Sequence, residues 1–143
     1  MKIVLKNKKE EIKIIKSGVY TLLFADTDVH DTDLTILVAE SDLNVKIQYL
    51  YFNDSQTKVV LNVLIKIPVG SKNSSVSLKM NGLVANEGSR IEFCPAFELN
   101  NNSSNISHST SVGHIYDEWS SYFFSRGLSQ DEMIALLKDQ SDL

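Results

Sequence analysis

A mainly β body closed by two short helices is predicted by three features of the sequence. KIVLK, EIKIIK, VYTLLFA, LTILVA, VKIQYLYF, KVVLNVLIKI, SVSLKM and SRIEF are rich in β-branched and aromatic residues, and many alternate apolar with polar side chains. Clusters such as Asn53-Asp54-Ser55, Gly70-Ser71-Lys72-Asn73-Ser74 and Asn86-Glu87-Gly88 separate them and supply turn chemistry. After Gly113 the pattern changes from a period of two to that of an amphipathic helix. The expected division is a β body over residues 1–114 and a helical region over 115–143, in one compact domain.

The opening segment carries Lys2, Lys6, Lys8, Lys9, Lys13 and Lys16 among Val, Leu and Ile. It reads as a solvated lysine face on an edge strand, where charge discourages strand-to-strand aggregation. Asp26-Thr27-Asp28-Val29-His30-Asp31-Thr32-Asp33 reads as a solvated turn between strands. It fails as an EF-hand loop because Asp31 stands where glycine is required and Leu37 where glutamate is required. Short strands at this spacing build a sandwich, a barrel or a β-solenoid, and periodicity does not choose among them. No strict repeat of fixed length is visible.

In the closing segment Ile115, Trp119, Tyr122 and Phe123 share one helical face. Asp117 and Glu118 lie early, where carboxylates suit the helix dipole. Arg126-Gly127 supplies a cation and a C′ glycine, and Ser129-Gln130-Asp131-Glu132 forms a capping box for a second helix. His114 reads as the opening of the first helix, neutral and structural.

The chain has 143 residues and a net charge of −4, an ordinary globular composition without a run long enough to span a bilayer. The lysine-rich start lacks interleaved aromatic or arginine residues, so neither nucleic-acid nor membrane binding is expected. The single cysteine, Cys94, forbids an internal disulfide and points to a reducing compartment, the cytoplasm. No nucleophile elbow, phosphate-binding glycine loop or His-Glu-x-x-His occurs, so an enzyme is not expected.

SRIEFCPAFELNNNSSNISHSTSVGHIYDEWSSYFFSRGLSQDEMIALL resembles the end of the SUF-system iron–sulfur assembly scaffolds, the SufB/SufD family. The residues that carry the resemblance are Pro95, Phe97-Glu98-Leu99, Ser107-His108-Ser109-Thr110-Ser111-Val112-Gly113, Asp117-Glu118 and Ser125-Arg126-Gly127-Leu128, in one register without gaps. The resemblance implies a short right-handed parallel β-helix capped by two C-terminal α-helices, with a β-sandwich as the alternative. It also implies a truncated, SufD-like scaffold or accessory subunit that docks the ABC-type ATPase SufC and joins a second SufB/SufD-like subunit, or its own copy, through C-terminal strands. In the SufB branch a cysteine lies four residues after the proline; Leu99 holds that position here.

His108 matches the family histidine, which implies a ligand to iron or to a transient iron–sulfur cluster shared across subunits. The competing reading is a turn histidine hydrogen-bonded to serine where the sheet ends. Cys94 is a weaker candidate ligand, read chiefly as a small buried hydrophobe beside Phe93 and Pro95. Trp119, Phe123, Phe124 and Arg126 are the expected partner-binding residues, although Ser121 and Phe124 depart from the family pattern. Two rival functions remain: an interaction module that kept the fold without cluster chemistry, and a metal- or ligand-binding β protein using residues 26–33.

Overall fold

A computed structural model describes residues 1–24 and 31–114. Its strands are β1 (Lys2–Leu5), β2 (Lys9–Ile14), β3 (Gly18–Phe24), β4 (Asp31–Val38), β5 (Asn44–Asn53), β6 (Lys58–Ile67), β7 (Ser75–Val84), β8 (Arg90–Leu99) and β9 (Asn105–His114). The helices expected over 115–143, with Trp119, Phe123, Phe124 and Arg126, lie outside the described residues, as do residues 26–30.

Odd-numbered strands form one sheet in the order β1-β3-β5-β7-β9, and even-numbered strands form a second in the order β2-β4-β6-β8. Every strand pair is parallel. A chain that visits two sheets alternately and always returns in the same direction is coiling, so the body is a parallel β-solenoid. The sandwich alternative fails on this point, because sandwiches are built from antiparallel sheets.

Side-chain alternation builds the core. In β6, Val59, Leu61, Val63, Ile65 and Ile67 all face inward and are essentially inaccessible to solvent. Their counterparts across the core are Val45, Ile47, Tyr49 and Tyr51 of β5 and Val76, Leu78 and Met80 of β7. Each fully buried aliphatic side chain contributes on the order of 2 kcal/mol relative to exposure. Burial pushes the Tyr49 phenol well above the usual tyrosine range, with the Thr32 hydroxyl acting in the opposite direction.

Rung length varies, which is why no fixed repeat shows in the sequence. Lys2 pairs with Thr21, Gly18 with Val45, Asn44 with Ser75, and Ser75 with Asn105. The strands lengthen from 4 residues in β1 to 10 in β5 and beyond. The lysine-rich opening falls, as expected, on edge strands, and Lys9, Glu11 and Lys13 occupy the exposed positions of β2.

The individual strands read from the sequence end at SRIEF, within a β body expected to run to residue 114. β8 continues through Pro95 to Leu99, and a ninth strand follows where a polar turn was expected. Proline is tolerated there because β8 is the last strand of its sheet among the described residues. His114 closes β9 opposite Val84 rather than opening a helix. Asp31 to Asp33 belong to β4 rather than to a turn.

Polar side chains hold the turns of successive rungs together. Buried Asn53 donates through Nδ2 to the carbonyls of Thr57 and Arg90, both at 2.9 Å. Its Oδ1 accepts from the Ser55 amide at 3.0 Å and from the Ser55 hydroxyl at 2.6 Å. At the opposite turn Asn101 donates to the carbonyls of Pro68 and Ser71, and Ser104 Oγ accepts from the Ser74 amide. Asn73, at φ 57°, takes the left-handed conformation that asparagine tolerates, and its amide donates to Ser103 Oγ.

Two stability predictions follow from these contacts. Asn53→Ala removes a buried side chain that donates to the carbonyls of Thr57 and Arg90 and accepts from the Ser55 amide, and should lower unfolding free energy by about 1–3 kcal/mol in urea denaturation. Gly82 stands where a Cβ would meet Ile91 Cδ1 at 2.7 Å and Phe93 at 3.3 Å. Gly82→Ala should therefore cost about 1–3 kcal/mol by overpacking. Adding Ile91→Val, which removes that Cδ1, should recover part of the loss; an unrelieved double variant would contradict this packing.

Candidate functional site on the last described rung

The inward row of the five-stranded sheet changes character at β9. In β7 it reads Val76, Leu78 and Met80, all buried. The positions paired with them in β9 are Ile106, His108 and Thr110. An imidazole and a hydroxyl in mid-stack would be taken out of water at a cost. On this edge strand both residues are exposed, and Ile106 is half-buried.

His108 lies over Leu78 in register, with its ring against Phe97 of β8. The ring centroids are 4.9 Å apart and the planes are tilted by 37°. Alternation sends Ser107 and Ser109 to the opposite face of the sheet. The reading of a turn histidine tied to serine is thereby corrected: His108 is a strand residue whose neighbour is aromatic. Phe97 is anchored in turn, half-buried opposite the fully buried Ile65 and packed against the core. Phe93, two positions back, meets Tyr49 edge-on at 6.2 Å. Sequence reasoning missed Phe97 as part of this site; the available signal was its place in the segment that carries the family resemblance.

Cys94 is not brought to His108. Its neighbours Phe93 and Pro95 pair with buried Leu61 and Val63 and so face inward, which turns Cys94 to the outer face of the four-stranded sheet. There it is half-exposed, which corrects the expectation of a buried small hydrophobe. Its Sγ donates to Glu92 Oε1 at 3.8 Å, and Lys58 pairs with the same carboxylate at 2.5 Å. Desolvation, then the negative charge of Glu92, raise the thiol above its ordinary range, while Lys58 acts the other way. Lys58 holds the Glu92 carboxyl below its usual range. The thiol form is therefore favoured at neutral pH, which suits a cluster ligand poorly because the thiolate is the ligand.

The acidic segment is partly committed to holding rungs together. Asp31 Oδ1 accepts from the Val60 amide at 3.2 Å, and Asp33 Oδ1 accepts from Asn62 Nδ2 at 3.0 Å. Among the described residues no group of three or more His, Cys, Asp or Glu side chains converges on one point. The described rung can thus offer a metal one imidazole, with the other ligands coming from elsewhere.

The two terminal strands also differ as edges. β8 carries Arg90, Glu92, Pro95 and Glu98, features that discourage further pairing. β9 carries no proline and no Asp, Glu, Lys or Arg over its 10 residues.

A family model described as SUF system FeS cluster assembly, SufBD core domain, matches residues 8–139. No curated protein matches the chain.

The setting of Cys94 makes its own prediction. Its reaction with a disulfide reagent at pH 7 should be slower than that of free cysteine and should accelerate at pH values above the ordinary thiol range. Glu92→Gln removes the neighbouring charge and should speed the reaction at pH 7. A wild-type rate at or above that of free cysteine would contradict the environment described.

Proposed function

Because the chain belongs to the SufBD core-domain family, which places it in SUF-system iron–sulfur cluster assembly, we propose that it acts as a non-enzymatic scaffold or accessory subunit. The observation that supports this reading most is the imidazole of His108, exposed at an inward position of an edge strand free of charge and proline. A neutral imidazole presents an in-plane lone pair that suits iron. Iron, or the nascent cluster, is here the cargo of assembly. His108 supplies one ligand, and a second SufB/SufD-like subunit or a second copy of this chain supplies the others across β9.

Strand pairing at β9 would bring those ligands together, since an unblocked edge gives main-chain hydrogen bonds to a partner strand. Trp119, Phe123, Phe124 and Arg126 would then serve an ABC-type ATPase of the SufC kind, with the two helices expected from the sequence as its docking element. Aromatic side chains and arginine are the usual anchors of such contacts. No helix among the described residues is long and apolar enough to cross a membrane, and a cytoplasmic setting fits a chain whose only cysteine is a free thiol.

A second reading is favoured by the lack of any multi-ligand cluster among the described residues. In that reading the fold is kept as an interaction module without cluster chemistry. Anaerobic reconstitution with iron and sulfide separates the two. The scaffold reading predicts a visible charge-transfer absorbance that His108→Ala abolishes while leaving the thermal unfolding transition in place. It also predicts co-purification of an ABC-type ATPase from the native cells. Absence of the absorbance with the ATPase still bound would select the interaction module.

A further inference from the structure

Ser107 and Ser109, the immediate neighbours of His108, lie on the other face of the sheet. The one described ring contact of His108 is Phe97, on the neighbouring sheet. Resting on the reading of His108 as a ligand to iron, we infer that Phe97 is the positioning residue of that imidazole: it lies against the ring and leaves the in-plane nitrogen lone pair free.

The geometry carries this in three steps. Phe97 is itself held, since its backbone pairs with Ile65, which is fully buried, and its ring is half-buried against the core. A held ring at 4.9 Å and 37° lies within the range at which aromatic pairs attract. The lone pair of a neutral imidazole's unprotonated nitrogen lies in the ring plane, so a neighbour tilted against the ring's face leaves the direction of a metal–nitrogen bond open. An exposed histidine without such a neighbour samples several staggered rotamers and loses that freedom on binding. Phe97 removes part of that loss beforehand, as preorganised ligands do. It acts through His108 and need not touch iron.

The test uses the full chain and two independent readouts. The first is NMR of the His108 ring protons without metal. Wild type and Phe97→Tyr should show ring-current shifts and cross-peaks to residue 97, whereas Phe97→Leu and Phe97→Met should lose both. The second is anaerobic titration with ferrous iron alone. Removing the aromatic ring should weaken His108-dependent binding about three- to tenfold, the scale of an aromatic pair. Phe97→Tyr should restore it to within about twofold, which loss of packing alone would not explain.

If Phe97→Leu folds and binds iron as wild type does while His108→Ala does not, the positioning role is overturned and the ligand reading stands. If His108→Ala binds as wild type does, the ligand reading fails and the NMR readout decides. Shifts lost with the ring then support positioning, and identical spectra in wild type and Phe97→Leu overturn it.

Discussion

Parallel stacking of rungs in register governs this protein. Each inward side chain must sit on the one a rung below, so the chain writes the same apolar row again and again. Val45, Ile47 and Tyr49 lie beside Val76, Leu78 and Met80, and the burial of that row outweighs local irregularity in rung length. Beside Leu78 and Met80 that row turns polar at β9, where His108 follows Leu78 and Thr110 follows Met80. A polar residue at an inward position is costly in a closed core and costs little at an edge. The place where the core pattern stops is therefore also the place where chemistry can begin.

The turns supply what the apolar rows cannot. Hydrophobic burial does not specify which rung lies on which, but a directional ladder does. Asn53, Ser74, Asn101 and Ser104 tie the backbone of one turn to the backbone of the next. Carboxylates do similar work on the outer faces, where Asp31 and Asp33 reach β6 and Glu98 lies 4.0 Å from Lys66. This is the physical reason that an acidic run suggestive of metal binding turns out, at Asp31 and Asp33, to serve the scaffold. These ladders also hold β8 and β9 in place, and so the Phe97–His108 contact.

Much of the body was legible in the sequence because large parts of β4 to β7 alternate apolar with polar side chains, and alternation in a strand is a direct record of burial. Three things were hidden. Changing rung length concealed the repeat, so only the family resemblance separated solenoid from sandwich. Pro95 made β8 look finished, although a terminal strand tolerates it. β9 carries almost no apolar alternation, since its inward row holds His108 and Thr110, and nothing in composition distinguishes such a strand from a polar turn. His108 itself was found through the resemblance rather than through periodicity. Phe97 could be joined to it only once β8 and β9 were seen to place their rings together across the two sheets.

The central claim is that β9 lies on β7 in a register that points His108 inward, and a slip of one residue would send it to the outer face. Cross-linking between paired cysteines measures this directly in a background with Cys94 replaced by alanine. Ser77 and Ser107 are register partners on the outer face, so Ser77→Cys with Ser107→Cys should cross-link readily through a short bifunctional thiol reagent. Ser77→Cys with Ile106→Cys should not. The opposite pattern would turn His108 away from Phe97 and contradict the account.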